Sequence, residues 1–215
     1  MSVQIIPYDL PDASLFSGTD DGMLVWQPDK TVIVLGQSNT PERSLIIENV
    51  EADNIAVTKR PTGGEAVVLT PGMAAITVAR EFREMPASND FFRVINGMIL
   101  DVLADLGVKN YGTQGISDIT LGSRKILGSS MQRRQRRLVY HAVMNIREDP
   151  DVFERYLRHP GREPDYRQQR RHNEFVTSLH NEGYNIFYND VALILETYRN
   201  FIVPAKNYSM VYDRQ

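Results

Sequence analysis

Along the first eighty residues, short apolar runs alternate with Gly, Pro and Asp, which is the punctuation of strands. β-Branched and aliphatic residues at 23–27, 31–36, 54–59, 65–69 and 74–80 predict five of them. The pattern then changes. Phe91, Ile95, Met98, Val102 and Leu106 recur at spacings of three and four, one face of an amphipathic helix over 90–106 with Ser88 or Asn89 as its cap. Such a helix should cover a sheet. Short strands are predicted again at 118–121, 125–127 and 138–146, and helices at 149–157 and 190–201, the last with Val191, Ile194, Leu195 and Tyr198 on a common face. Runs of strands with helices set apart from them define an α+β class, with mixed or antiparallel sheets packed by segregated helices. The only break in the pattern is the stretch 158–172, rich in Arg, Pro and Gly, so residues 1–215 read as one domain with a small helical extension from about 160.

Composition narrows the function. A chain of 215 residues with 42% hydrophobic content can bury one full core. A net charge of −3 gives no global field for DNA or RNA, so nucleic acid is not an expected partner. The run Gln132-Arg133-Arg134-Gln135-Arg136-Arg137 is polar on both faces of a strand and reads as an edge or a hairpin connection. An acidic partner protein is the more economical use for it and for Arg162, Arg167, Arg170 and Arg171. The absence of cysteine excludes disulfides, thiolate-bound metals and thiol nucleophiles, and fits a reducing compartment. No apolar run approaches the roughly 18 to 20 residues of a bilayer span, and the start lacks the apolar core of a signal peptide. The expectation is a soluble, cytoplasmic protein without membrane contact. Four histidines without paired spacing argue against zinc.

Two segments carry the candidate chemistry. In Lys59-Arg60-Pro61-Thr62-Gly63-Gly64-Glu65-Ala66-Val67-Val68, a double glycine beside an arginine joins two strand-like runs. Gly63 and Gly64 can cradle an anion on backbone N–H groups, or simply turn a hairpin between 55–59 and 65–69. Arg60 can add a bidentate phosphate contact, or be solvated. In the second segment Lys125 lies among Ile119, Leu121, Ile126 and Leu127 and precedes the small residues Gly128, Ser129 and Ser130, read as a turn. Its ammonium can stabilise a developing oxyanion, or point to water from a strand. Asp118 can hold Mg²⁺ on ATP phosphates, or serve as a turn aspartate. His141 reads as a packed strand histidine.

Taken together, in this order and spacing, the segments resemble the lipoate protein ligase family, whose catalytic domains carry an "RR-x-[ST]-G-G-G-A-V" and an "N-D…K-[IV]-S-G-S-A" segment. The likeness runs from about Thr31 to Ile146 and weakens through residue 160. It implies the biotin/lipoate ligase catalytic fold and attachment of lipoate or octanoate, through an acyl-AMP, to a lysine of a carrier domain of the 2-oxoacid dehydrogenase E2 or glycine cleavage H protein type. ATP with Mg²⁺, or lipoyl-AMP, would be the co-substrate, with no tightly bound cofactor. By position in the motif Lys125 is the essential lysine; Arg60, Thr62, Gly63, Gly64, Glu65, Ser117, Gly128, Ser129, Ser130 and His141 fall on adenylate- and substrate-binding positions, and Asp118 near the metal. The chain departs from the pattern at Glu65 for glycine, Ile116 for arginine, Ser117 for asparagine, Leu127 for serine and Ala142 for glycine. Little chain remains for the accessory domain of many such ligases, which implies a separate accessory subunit. The resemblance leaves two neighbouring readings: an octanoyl transferase, disfavoured without cysteine, and a non-catalytic module binding acyl groups or carriers.

Overall fold

The computed structural model describes residues 3–202. In chain order the elements are β1 (Ile5–Ile6), α1 (Ala13–Ser17), β2 (Gly22–Trp26), β3 (Val32–Leu35), α2 (Pro41–Ser44), α3 (Ile47–Ala52), β4 (Ala56–Lys59), β5 (Val67–Leu69), β6 (Met73–Glu81), α4 (Ser88–Asp105), β7 (Tyr111–Gln114), β8 (Asp118–Leu121), β9 (Arg124–Arg134), β10 (Arg137–Asn145), α5 (Asp151–Tyr156), a 3₁₀ turn (Asp165–Arg167), α6 (His172–Phe175), α7 (Tyr188–Thr197) and α8 (Arg199–Ile202). A six-stranded sheet, β2-β6-β10-β9-β8-β7, is antiparallel throughout. A four-stranded sheet, β1-β4-β3-β5, is mixed. The fold is the expected α+β arrangement.

The large sheet is buried on both faces, which is why β6 reads as a continuous apolar run instead of an alternating one. On one face, Ile76 and Val78 of β6 and Leu138, Tyr140 and Met144 of β10 pack beneath α4, against Phe91, Ile95, Met98 and Val102. This is the helix face predicted from spacing. Asn96 lies within it and accepts a hydrogen bond from the Tyr140 hydroxyl at 2.7 Å. On the other face, Trp26 and Ala75 meet Val32, Val34 and Leu69 of the small sheet. The chemistry collects between the two sheets.

Several expectations are corrected. Strands β4 and β5 do not form a hairpin, because β3 lies between them, parallel to β4 and antiparallel to β5. The Gly63-Gly64 stretch is therefore a crossing loop. Gly128, Ser129 and Ser130 do not turn the chain: they continue β9 and face Val143, Ala142 and His141 of β10. The turn comes later, at Gln135 and Arg136, where Gln135 has φ 49, so the basic run is the hairpin connection expected. Helix α4 starts at Ser88 itself after an extended Ala87, with no side-chain cap but with the Asp90 charge complementing the positive N-terminal end of the helix dipole. The helix at 190–201 is two pieces separated at Tyr198. The edge strands β1 and β7 and the one-turn helices are too short for periodicity to register.

Among the described residues no helix is long and apolar enough to cross a membrane. Ile95 is fully buried while Leu193 is 72% exposed. Ile95→Ala should cost ~2–4 kcal/mol in urea unfolding and Leu193→Ala no more than ~0.5.

Candidate active site

The glycine loop is built around a buried arginine. Arg60, 5% exposed, donates from Nε to Thr62 Oγ1 at 2.8 Å, from Nη1 to the Val34 carbonyl at 3.2 Å, and from Nη2 to the carbonyls of Gly63 and Glu65 at 2.8 and 2.9 Å. Burial lowers its pKa to about 10, opposed by Tyr8 and Glu65, so it stays charged at neutral pH. Its donors brace the loop from within and leave the backbone as the ligand-facing surface. Gly64, at φ 91, takes a conformation that favours glycine. Gly36, at the end of β3, lies so close that a Cβ there would stand 1.9 Å from the Gly64 carbonyl oxygen. The Gly36 amide is held by Asn39 Oδ1 at 2.8 Å, and Asn39 Nδ2 reaches Glu65 Oε2 at 3.3 Å. Glu65 thus points across the loop at its exposed rim, and only its backbone meets Arg60.

Thr62 Oγ1 lies 2.9 Å from Ser130 Oγ, tying the loop to β9. Ser117 and Ser129 exchange hydrogen bonds, each hydroxyl donating to the other's carbonyl at 3.1 and 2.8 Å. They fix the start of β8. Between β8 and β9 the register slips: Ile119 pairs with Leu127 but Thr120 with Lys125, leaving Ile126 extra. This bulge buries Ile126 and Leu127 together and frees Lys125 to curl along its own strand. A Cβ on Gly128 would stand 2.6 Å from the Lys125 Cε and Nζ. The ammonium meets Asp118 Oδ1 at 2.8 Å, while Asp118 Oδ2 accepts the Tyr166 hydroxyl at 2.8 Å. Both carboxylate oxygens are engaged, and among the described residues no three acidic, His or Cys side chains gather to hold a metal.

A cavity of about 890 Å³ joins these parts. Arg60, Gly64, Glu65, Lys125, Gly128, Ser129, Ser130 and His141 line it, with Met73, Val143, Phe153 and Leu157 as apolar wall. Thr62, Gly63, Ser117 and Asp118 support these residues through the hydrogen bonds and ion pair above. The stretch 158–172 covers the opening through Arg158, His159, Arg162 and Arg167. His141 is both packed and cavity-lining. Its Nε2 lies 3.3 Å from Asp12 Oδ2, an oxygen that accepts Thr77 Oγ1 at 2.6 Å, and Asp12 Oδ1 accepts the Tyr8 hydroxyl at 2.8 Å. Burial pulls the imidazole down to about 4 against the opposing charge of Asp12, with Arg60 lowering it further, so the ring is neutral at pH 7.

Tyr166, Asn39, Asp12 and Tyr8 escaped the sequence reading. Only Asn39 carried a signal there, as a helix-breaking polar residue soon after the glycine that ends a strand.

Residues 13–198 match the family model of the lipoyl protein ligase A/B catalytic domain, and the chain belongs to that family. It is 26% identical over 140 residues to a lipoate-protein ligase A of Psychrobacter cryohalolentis, a stretch that is 64% of this chain and 39% of that one. The chain spans well under two thirds of the length of the curated relatives it matches. Its fold is similar to a lipoate-protein ligase A bound with ATP, at a TM-score of 0.71 and 20% identity over 90% of this chain and 81% of that one. It is equally similar to a structure of a bi-partite lipoate protein ligase and its E2 lipoyl domain from Thermoplasma acidophilum, at a TM-score of 0.72 and 18% identity over 92% and 82% of the two chains.

The depressed His141 gives a pH signature. The folded form excludes the proton that the unfolded imidazole binds at about 6.5, so its stability contribution is complete above that value and is lost as pH falls toward about 4. Between those limits His141→Gln should gain up to ~3 kcal/mol relative to wild type in urea titrations, and parallel curves for the two proteins would contradict this.

Proposed function

We propose that this chain is a lipoate ligase-type acyltransferase. Lipoate or octanoate is activated as its AMP ester, and a lysine of a carrier domain attacks the carbonyl and releases AMP. The observation that carries the reading is the placement of Lys125: an ammonium held by Asp118, curled over a side-chain-free Gly128, at the wall of a cavity with an apolar interior. A compact charge fixed there, part-shielded from water, stabilises negative charge on the acyl carbonyl and on the phosphate oxygens as the bond to AMP breaks. The Gly64 backbone offers the opposite wall. Asp118 and Tyr166 act on the ammonium's position, and Arg60 on the shape of the loop.

Four of the five departures from the family pattern leave the interior open, and the fifth, Leu127, lines the cavity. Ala142 packs into the core beneath α4, Ile116 is 73% exposed, and Glu65 lies at the rim, so none of the three blocks the interior. Ser117 is absorbed in its exchange with Ser129. An octanoyl transferase working through an enzyme thioester lacks its nucleophile in a chain without cysteine.

The reading includes a carrier of the E2 or H protein type, ATP as co-substrate, one catalytic unit formed by the whole chain, a cytoplasmic setting, and a second subunit of the kind that makes the Thermoplasma ligase bi-partite. Incubation with ATP, Mg²⁺, lipoate and a lipoyl carrier domain should add one lipoyl group by intact mass. An unmodified carrier, with lipoyl-AMP supplied as well, would reject the proposal.

Lys125→Ala should lower transfer from lipoyl-AMP roughly a hundredfold or more with the fold retained, and Lys125→Arg should not rescue it, since a planar fork does not replace a compact ammonium. Gly128→Ala should also depress transfer, because the added methyl takes the space of the lysine's end while the strand pairing stays intact. Near wild-type rates in Lys125→Ala would remove the lysine from the mechanism.

A further inference from the structure

Strand β9 outruns one of its neighbours. β8 begins at Asp118 and pairs with β9 from Ile119 against Leu127, whereas β9 runs on to Arg134. On its other side β10 accompanies it to the end, where Arg134 faces Arg137. The last link on the β8 side is the exchange between Ser117 and Ser129. Beyond it roughly 13 Å of β9 edge, from Ser130 to Arg134, has no strand beside it among the described residues. The Ser129 carbonyl accepts from Ser117, so the alternation of the ladder turns the N–H and C=O groups of Met131 and Arg133 to that same side. Among the described residues those groups meet no hydrogen-bond partner there.

The free edge starts at the cavity and ends in positive charge. Gly128 and Ser130 line the cavity, and Gly128 lies against the end of the Lys125 side chain. A strand laid along this edge presents every second side chain to the face that carries them. At the outer end Arg133 and Arg134 are exposed, and neither meets a carboxylate among the described residues. Arg136, in the hairpin turn, is 58% exposed and 3.9 Å from Glu81. These are the arginines of the basic run, and the acyl-transfer chemistry leaves them unused. An open strand edge pairs with a second copy or with a foreign strand. Self-pairing would bring the arginines of two copies onto one edge, where like charges repel; an acidic strand gains at the same places.

We infer that the outer half of β9 docks the carrier domain. An extended, acidic segment of the carrier adds as a strand beside Met131 and Arg133, and its acceptor lysine, on the face shared with Ser130, enters the cavity from the side that holds Lys125. The inference rests on the acyltransferase reading above and gives its protein substrate a place. Backbone pairing supplies the affinity, and the arginines set the approach and orientation. Ile116, 73% exposed in the turn before Ser117, adds an apolar contact at the inner end.

Arg133 separates the two contributions, because its N–H faces outward and its side chain is exposed. Arg133→Gln removes the charge and keeps the donor; Arg133→Pro removes both without taking a bond from β10. With preformed lipoyl-AMP and an E2-type lipoyl carrier domain, KM for the carrier should rise about threefold in Arg133→Gln and at least tenfold in Arg133→Pro, with kcat and lipoyl-AMP affinity within about twofold of wild type. Salt should raise the wild-type KM, and raise it less when Arg133→Gln is combined with Arg134→Gln. In hydrogen exchange on the wild-type protein, the Met131 and Arg133 amides should gain protection when the carrier is added. An unchanged KM in Arg133→Pro, carrier binding without protection of those amides, or self-association of the wild type that buries them would overturn the inference. If Arg133→Pro does not fold, the exchange measurement decides alone. Protection by the carrier without any transfer from lipoyl-AMP would leave the docking edge standing and sink the acyltransferase reading instead.

Discussion

Arg60 carries its charge into a space almost without water, where an unmet guanidinium would cost several kcal/mol. The fold meets that demand with carbonyls and a hydroxyl of the loop that follows, so the arginine, the double glycine and Thr62 form one unit that docks on Ser130 of the large sheet. The buried carboxylate of Asp12 is turned toward Tyr8, Thr77 and His141. A single buried cation thus holds the loop's shape and, through Thr62, ties the loop to the large sheet, whereas the neutrality of His141 follows first from its own burial.

The large sheet separates two tasks by strand alternation. Along β10, Leu138, Tyr140 and Met144 face α4 and carry the packing, while His141 and Val143 face the cavity. The bulge at Ile126 interrupts this division at one place on β9, and that place holds Lys125. An extra residue in the ladder is how one strand both seals a core and presents a charged group to the opposite side.

The sequence made the α4 face and the central strands legible because they are long enough for a period to repeat. It also placed Lys125 and the glycine loop, through order and spacing of several motifs instead of any one. What stayed hidden depended on register. Gly and Ser favour turns in isolation, so the small residues after Lys125 suggest one; in the sheet they are strand residues paired with β10 that line the cavity. For Arg60 the sequence leaves a phosphate contact or solvation open, since nothing in its neighbours announces the carbonyls that hold it at the cavity wall. Tyr166 and Arg167 lie in a stretch without periodicity, and their positions follow only from how that stretch is folded back over β8 and β9.

That fold-back also bears on how the molecule is made. The Leu157–Leu45 bridge, the Tyr166–Asp118 bond and the Thr177 amide on the Lys125 carbonyl each join the last third of the chain to something synthesised well before it. On a ribosome both sheets can pair before any of those residues has emerged, and the cavity then lies uncovered. Closing it is a late, long-range event in folding, and loop-closure entropy makes such contacts slow to form. A chain halted before residue 157 would present the apolar wall of its own cavity as an open, adhesive surface.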